Sequence, residues 1–243
     1  MNDLLHTSFW VYFAARPLLW LLVTIACFLL ARWLSYKVRG MPLLNPVLVS
    51  MIAIITLLTV TGTDYNTYFS GAQFIHFLLG PATVALAIPL YDYLPRIRAL
   101  FMPIMVACLI GALVAVVTAL GIGVLLGASP ELLLALAPKS VTSPIAIGIA
   151  EKIGAFPSLT AGLVLITGVI GCVLAPPLFR VLRIEDDAIK GFSLGLAAHG
   201  FGTAQAIQMS MMAGAFAGLG MSLTGVFSSF LVPLMVGVFG LLG

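Results

Sequence analysis

Apolar residues run along this chain in long blocks, and short clusters of charged residues separate the blocks. Asp, Glu, Lys and Arg are absent from the stretches 40–63, 65–91, 99–130, 153–179 and 191–243. A helix that crosses the hydrocarbon core of a bilayer needs about 20 mainly apolar residues, and each stretch is long enough. The pattern therefore predicts an all-α polytopic membrane protein.

The first half of the chain predicts ordinary spanning helices. Following an N-terminal extension, 1–16, the blocks predict spans over 17–36, 46–62, 72–94 and 99–127. A polar loop is expected between the second and third spans, at 63–71. We expect residues 17–127 to form the first four spans of a single membrane domain that covers 1–243.

The second half contains two irregular segments. Residues 130–153 predict a helix, a break at 138–143 (PKSVTS) and a second helix. Each helical piece has about 8–10 residues, or about 12–15 Å at 1.5 Å per residue, which is half a membrane. A regular span is predicted to follow at 157–179.

The second irregular segment has the same form. Residues 188–198 predict a helix, His199-Gly200-Phe201-Gly202 a break, and 203–214 a second helix, before a last span at about 216–241. The chain thus predicts about six spanning helices plus two broken segments, in the units 130–179 and 188–241.

Basic residues favour re-entrant over crossing segments. Cytoplasmic loops carry an excess of Lys and Arg, so the basic loops at 32–39 and 96–98 should lie on the same side. The cluster at 180–190 lies on that same side only if the segment 130–153 enters the membrane and returns to the side from which it came, as a hairpin does. Two hairpin units from opposite faces would form an inverted repeat, as in secondary transporters. Discontinuous helices that cross the membrane are the alternative.

Composition excludes several classes of protein. Hydrophobic residues make up 62% of the chain and charged residues 8%, against about 25% charged residues in soluble domains. A net charge of +3 without a basic patch gives no sign of nucleic-acid binding. Nucleophile elbows, phosphate loops and metal-ligand spacings are missing from the sequence. We therefore expect no enzyme activity, no cofactor and no metal.

Candidate chemistry begins at the first break. Lys139 stands beside Ser140, Thr142 and Ser143, and a lysine at membrane depth marks a functional site by default. The half-helices that start near Pro144 and Thr203 would present free N–H groups, which attract anions. These groups predict a site for a small carboxylate. The alternative is that Lys139 extends to the interface from a surface loop.

The second break carries a titratable group. His199 is the ionisable residue within 191–243, and its titration range suits proton coupling. A histidine in this position can equally be a structural hydrogen-bonding group. Further candidates for the site are Gly200, Gly202, Thr203 and Gln205, with Asn45 and Thr83 as residues that could line the cavity.

Several motifs together resemble the LrgB/CidB family. They are Pro42–Leu48 (PLLNPVL), Leu79–Tyr91 (LGPATVALAIPLY), Pro138–Gly148 (PKSVTSPIAIG), Ala197–Gln205 (AAHGFGTAQ) and Gly214–Ala217 (GAFA). They occur in the family's order, and the resemblance covers roughly residues 40–240.

This resemblance implies two functions of different classes. Bacterial members are described as antiholin-like proteins that modulate murein hydrolase activity and lysis with a small LrgA/CidA-type holin-like partner. A plant plastid relative moves glycolate and glycerate, and some bacterial members are linked to pyruvate. Because of Lys139 and the paired breaks, we expect a carrier of C2–C3 monocarboxylates (glycolate, glycerate, lactate or pyruvate) in the bacterial inner membrane. Lysis regulation is the alternative, and a homodimer is expected.

Overall fold

The computed structural model describes residues 17–37, 44, 46–85 and 87–241, so the extension 1–16 lies outside the described residues. Within these ranges the secondary structure is helical, which confirms the all-α prediction. The chain divides into two compact units, Met1–Ala85 and Leu86–Gly243.

The N-terminal unit contains α1 (Pro17–Lys37), α2 (Pro46–Thr61) and α3 (Tyr65–Ala85). Helix α1 packs against both of the others. The buried Trp20 ring meets the Tyr68 ring edge to face at 5.9 Å. The hydroxyls of Thr24 and Tyr68 lie 3.2 Å apart.

The third helix begins earlier than predicted. The predicted loop at 63–71 is wrong beyond residue 64, because Asp64 caps a helix that starts at Tyr65. Its Oδ1 accepts the backbone N–H groups of Asn66 and Thr67, at 2.8 and 3.2 Å. A side-chain acceptor at this position satisfies N–H groups that lack a helical partner.

Eight helices make up the described part of the C-terminal unit. They are α4 (Ala87–Asp92), α5 (Leu94–Ala99), α6 (Phe101–Leu125), α7 (Pro130–Leu136), α8 (Ser143–Ile153), α9 (Pro157–Val181), α10 (Asp187–Met209) and α11 (Met211–Val238).

Four helices among the described residues are long and apolar enough to cross a membrane. They are Leu18–Lys37, Phe101–Leu125, Pro157–Val181 and Met211–Val238. Helix α2 is apolar but shorter, with 16 residues. Many large side chains on these helices are exposed and apolar, as expected of surfaces that face lipid. The predicted total of about six spans stays a prediction.

The first broken segment has the predicted helix–break–helix form, with α7 and α8 on either side of a turn at 137–142. Leu133 of α7 and Ile149 of α8 share a buried cluster with Leu120 near the end of α6 and Val236 near the end of α11. The outer parts of α7 and α8 therefore reach the same core, as the two arms of a hairpin do. We call 130–153 the first hairpin.

The second broken segment folds back on itself at a single residue. His199 has φ +40° and ψ −123°, and helical geometry resumes on either side of it. A Cβ atom placed on Gly202 would overlap the carbonyl oxygen of Leu194, a contact that a straight helix cannot make. We call 187–209 the second hairpin.

The boundaries of this segment differ from the prediction. The break is confined to His199, and Gly200 to Gly202 are already helical. The second arm ends at Met209, because extended Ser210 caps the next helix by accepting the N–H of Ala213 at 3.1 Å. The prediction that this arm continues to 214 and that the last span starts at about 216 was therefore wrong.

Glycines bring the second hairpin against α11. A Cβ atom on Gly191 or Gly195 would overlap the carbonyl oxygen of Ala213 or Ala217, respectively. Both contacts join residues 22 positions apart (213 − 191 and 217 − 195), so the first arm of the hairpin and α11 run parallel. Only glycine permits backbones to approach so closely.

Candidate functional site

The two hairpin tips lie close to each other. Val141, in the tip of the first hairpin, shares a buried cluster with Val164 of α9, and His199, at the tip of the second, contacts the carbonyl oxygen of Val164. Helix α9 thus borders both tips, and Gly168 of this helix makes room for the second one. The one shared polar site that the sequence predicted from the two breaks stays a prediction.

Lys139 is half-buried and its ammonium donates to the Ser140 hydroxyl at 3.3 Å. Within the part of the chain that the structure describes, no carboxylate lies within 4 Å of this ammonium. Its neighbours Pro138, Ser140 and Val141 are buried. The tip therefore holds a partly desolvated cation whose described environment offers hydroxyl oxygen and no counter-charge.

The first hairpin also presents a helix N-terminus at its tip. Helix α8 begins at Ser143, with Thr142 as N-cap and Pro144 in the first turn, and the Thr142 side chain makes no capping hydrogen bond. The first backbone N–H groups of α8 are thus not occupied by a side-chain cap. Such groups, with the positive end of the helix dipole, favour an anion.

His199 is built into the tip of the second hairpin. Its side chain is 3% exposed, and Nε2 lies 3.1 Å from the carbonyl oxygen of Val164 on α9. The ring also meets Phe201 edge to face, at 6.1 Å between centroids. A positive φ is strained for a residue with a Cβ atom and costs about 1–3 kcal/mol, so neighbouring contacts must hold this conformation.

The neighbours of His199 explain most of the motif around it. The Thr203 hydroxyl donates to the carbonyl of His199 at 2.9 Å, which satisfies a backbone group at the reversal. Gly202 faces the Leu194 carbonyl, whereas Gly200 is exposed, with no atom within 4 Å of the place that a Cβ atom would take. Gly202 and Thr203 therefore serve the backbone at the reversal, and Gly200 faces open space.

Gln205 lies on the second arm of the hairpin, and its Oε1 is buried without a hydrogen-bond partner. A buried amide oxygen in this condition costs about 1–3 kcal/mol. Thr83 lies in α3 of the N-terminal unit, and the description of that helix does not extend to its side chain. Asn45 lies outside the described residues.

Sequence reasoning missed Thr160 and Gly168. Thr160 lies on α9 with its hydroxyl oxygen buried and unpaired, and nothing in the apolar stretch around it indicates a special role. Gly168 lies in the same apolar stretch and is equally inconspicuous in the sequence. A Cβ atom there would lie 2.8 Å from both His199 and Phe201, so this glycine makes room for the second tip.

Among the described residues, no group of three or more His, Cys, Asp or Glu side chains converges. The chemistry that the tips offer is electrostatic attraction and hydrogen bonding: a cation, hydroxyls, an unpaired amide oxygen and a free helix N-terminus.

Comparison with known families gives a match over most of the chain. The model of the LrgB-like family matches residues 24–238, which includes both hairpins. No solved structure matches the chain significantly.

Individual relatives cover almost the full length. The chain is 37% identical to the uncharacterised protein YxaC of Bacillus subtilis (strain 168), over 90% of this chain and 95% of that protein. It is 33% identical to the holin-like protein CidB of Staphylococcus aureus (strain Mu50 / ATCC 700699) over 92% of this chain and 97% of CidB. A CidB of Staphylococcus epidermidis (strain ATCC 12228 / FDA PCI 1200) is 32% identical over the same shares.

Proposed function

Because this chain belongs to the LrgB-like family, we propose that it is a holin-like membrane protein that regulates murein hydrolase activity and cell lysis. The observation that carries the proposal is its similarity to proteins named holin-like CidB across 92% of its length. The matched region contains all four helices that are long and apolar enough to cross a membrane, apart from the first residues of α1.

The proposal includes a small holin-like membrane partner of the LrgA/CidA type. It places the chain in the bacterial inner membrane as a multi-pass homodimer that acts as a single membrane domain and not as an enzyme. Exposed apolar side chains along α1, α6 and α9 offer surfaces on which a partner helix or lipid can pack.

Deletion of the gene, followed by complementation, tests this proposal. In medium without added small carboxylates, deletion should change both the murein hydrolase activity of cell extracts on zymograms and the rate of lysis. Lys139→Met should restore both as well as the unaltered chain does. Unchanged hydrolase activity and lysis after deletion would rule the regulatory role out.

A second candidate function is favoured by the half-buried Lys139 at the meeting of the two tips. We propose as this second candidate a carrier for C2–C3 monocarboxylates such as glycolate, glycerate, lactate or pyruvate. A lysis regulator has no need of a desolvated cation beside a free helix N-terminus, whereas a carboxylate binds best to such a combination.

In this proposal Lys139 and the N-terminus of α8 hold the carboxylate. Ser140, Thr142 and Gln205 meet the adjacent hydroxyl or keto oxygen. The Thr203 hydroxyl and His199 Nε2 already contact backbone carbonyls, so their contribution is to fix the shape of the second tip. Proton coupling through His199 would require the contact with Val164 to open.

The carrier proposal also includes the finer architecture predicted from the sequence. Two hairpins that enter from opposite faces, with about six spanning helices in an inverted repeat, would let the tips open alternately to either side. Binding sites at broken helices near the midplane are common in such proteins.

Uptake of radiolabelled glycolate and pyruvate into proteoliposomes tests the carrier. Saturable uptake should be lost in Lys139→Met and kept in Lys152→Met, a matched control because Lys152 lies exposed at the other end of α8. Uptake that persists in Lys139→Met would refute the site. Absence of uptake in the unaltered chain, with the partner protein present, would leave the regulator as the function.

A further inference from the structure

An apolar cavity of about 600 Å³ lies between α6 and the first arm of the second hairpin, and it extends from Asp186 at the base of that arm to Ala197 near its tip. Its walls include Ile104 and Ala107 of α6, Phe192 and Leu196 of α10, and Phe216 of α11. This volume falls in the range of about 300–1,000 Å³ that holds small-molecule ligands. Nothing in either proposed function uses this cavity.

An ion pair stands at one end of the cavity. Arg96 of α5 and Asp186, the N-cap of α10, both line it, and their side chains lie 2.5 Å apart. They are 40% and 39% exposed. Charged residues in an otherwise apolar cavity therefore gather at one position, with both signs present.

Each member of the pair keeps free bonding capacity. Arg96 donates one N–H to Asp186 and another toward the sulfur of Met212 at 3.3 Å, which leaves further guanidinium donors. Asp186 uses Oδ1 to cap α10 through Ala188 and Ile189. Its Oδ2 faces Arg96 and can accept from a second cation.

We propose that this cavity binds one zwitterionic phospholipid, with an acyl chain between α6 and α10 and the headgroup on the Arg96–Asp186 pair. Arg96 contacts the phosphate and Asp186 contacts the ammonium. The two charges match a zwitterionic headgroup better than that of phosphatidylglycerol, because only the zwitterionic headgroup carries an ammonium that can pair with Asp186. The apolar walls supply the environment that an acyl chain requires.

Photocrosslinking tests this site with the full chain in vesicles. The vesicles contain phosphatidylethanolamine that carries a diazirine near the end of one acyl chain, mixed with phosphatidylglycerol. Mass spectrometry should place the main cross-link on residues of the cavity wall such as Ile104 and Phe192. A cross-link spread evenly over exposed apolar faces would show surrounding lipid only and overturn the proposal.

Matched substitutions test the acyl-chain part. Ala107→Trp fills the cavity and should abolish the cross-link to the cavity wall, whereas Val114→Trp, on the exposed face of the same helix, should leave it unchanged. Size-exclusion chromatography checks that both variants remain folded. An equal yield in the two variants contradicts the proposal.

Headgroup recognition is tested by competition and needs no bulky substitution. Unlabelled phosphatidylethanolamine should compete with the probe about tenfold better than phosphatidylglycerol, and Asp186→Asn should abolish this preference because the charge-assisted hydrogen bond to the ammonium is lost. Asp187→Asn is the control, since Asp187 is the next residue and does not line the cavity. Equal competition by the two lipids would disprove headgroup recognition.

Discussion

The tips of the two hairpins reverse the chain in different ways. The first uses the turn 137–142, in which side chains carry the polar groups and the residues avoid positive φ. The second reverses at His199 alone and depends on close contacts with glycines. The first tip therefore places few demands on backbone conformation, and its polar side chains define it. The second tip depends instead on one strained backbone conformation and on the glycines that contact it.

The largest expected effect is at Gly202. Gly202→Ala places a methyl group against the Leu194 carbonyl oxygen. The backbone cannot move aside as easily as a side chain can. We expect a loss of at least about 3 kcal/mol of stability, the upper end of overpacking costs, seen as a lower midpoint of thermal unfolding in detergent. Gly200→Ala, where nothing lies within 4 Å, should keep the midpoint. Equal midpoints would contradict the fold-back at His199.

Gly168→Ala should have the next largest effect. The added methyl group would meet His199 and Phe201 at 2.8 Å, and these are side chains that can shift, so we expect a loss of about 1–3 kcal/mol. Gly162→Ala on the same helix, with open space around it, is the control. Thermal unfolding of the two variants measures the difference.

His199 allows a direct test of backbone strain. Both His199→Gly and His199→Ala lose the contact with Val164, but only glycine adopts φ +40° without strain. We expect the glycine variant to be more stable than the alanine variant by about 1–2 kcal/mol, the reverse of the order in a regular helix. An alanine variant of equal or greater stability would show that the reversal is not strained.

At the first tip, Lys139→Met should change stability little. The variant removes a partly buried cation that has no carboxylate partner among the described residues, and its apolar side chain fits a half-buried position. We expect a midpoint within about 1 kcal/mol of the unaltered chain, or slightly above it. A large loss would show that Lys139 has a structural role, and the carrier site would lose its support.

The smallest expected effect is a pH dependence at the base of the second hairpin. Slight burial raises the pKa of Asp186, but the N–H groups of Ala188 and Ile189 and the Arg96 guanidinium outweigh it, and the pKa lies below its ordinary value. A carboxyl group with a lowered folded-state pKa stabilises the fold above its unfolded-state pKa, about 3.9. This contribution is lost as pH falls through the folded-state value.

Unfolding midpoints between about pH 3 and pH 7, a range that brackets the unfolded-state pKa, can detect that contribution. Asp186→Asn should show a weaker decline toward low pH than the unaltered chain. Asp187→Asn, whose neighbouring Lys190 lies 3.6 Å away, is the control. Parallel curves for the unaltered chain and Asp186→Asn would contradict the assignment.

The sequence predicted the helices well where long apolar blocks end at charges or prolines. Helices α1, α6 and α9 begin and end within a few residues of the predicted spans. The sequence prediction was wrong at 65–71, where polar residues form the first turns of α3, directly after the Asp64 cap. Polarity indicates exposure to water, and a capped helix end is as polar as a loop.

The candidate site was predictable in its members and less so in its geometry. Lys139 and His199 stood out because charged and titratable groups are rare in apolar blocks. The two residues are brought together by two reversals of the chain, and a local sequence pattern does not show where such reversals place the tips. Gly168 matters because of its contact with the second tip, and Thr160 because its hydroxyl is buried without a partner. Both properties depend on residues far away in sequence, so periodicity and composition could not indicate them.

The backbone contacts of Gly191 and Gly195 with α11 have a mechanical consequence. Carbonyl oxygens of α11 lie where the Cβ atoms of those residues would be, and packed backbones of this kind slide only by separating. The second hairpin and α11 must therefore travel together as one rigid part. Any rearrangement that carries the His199 tip away from Lys139 has to occur at looser boundaries, and the cavity between α6 and α10 leaves free space at one such boundary.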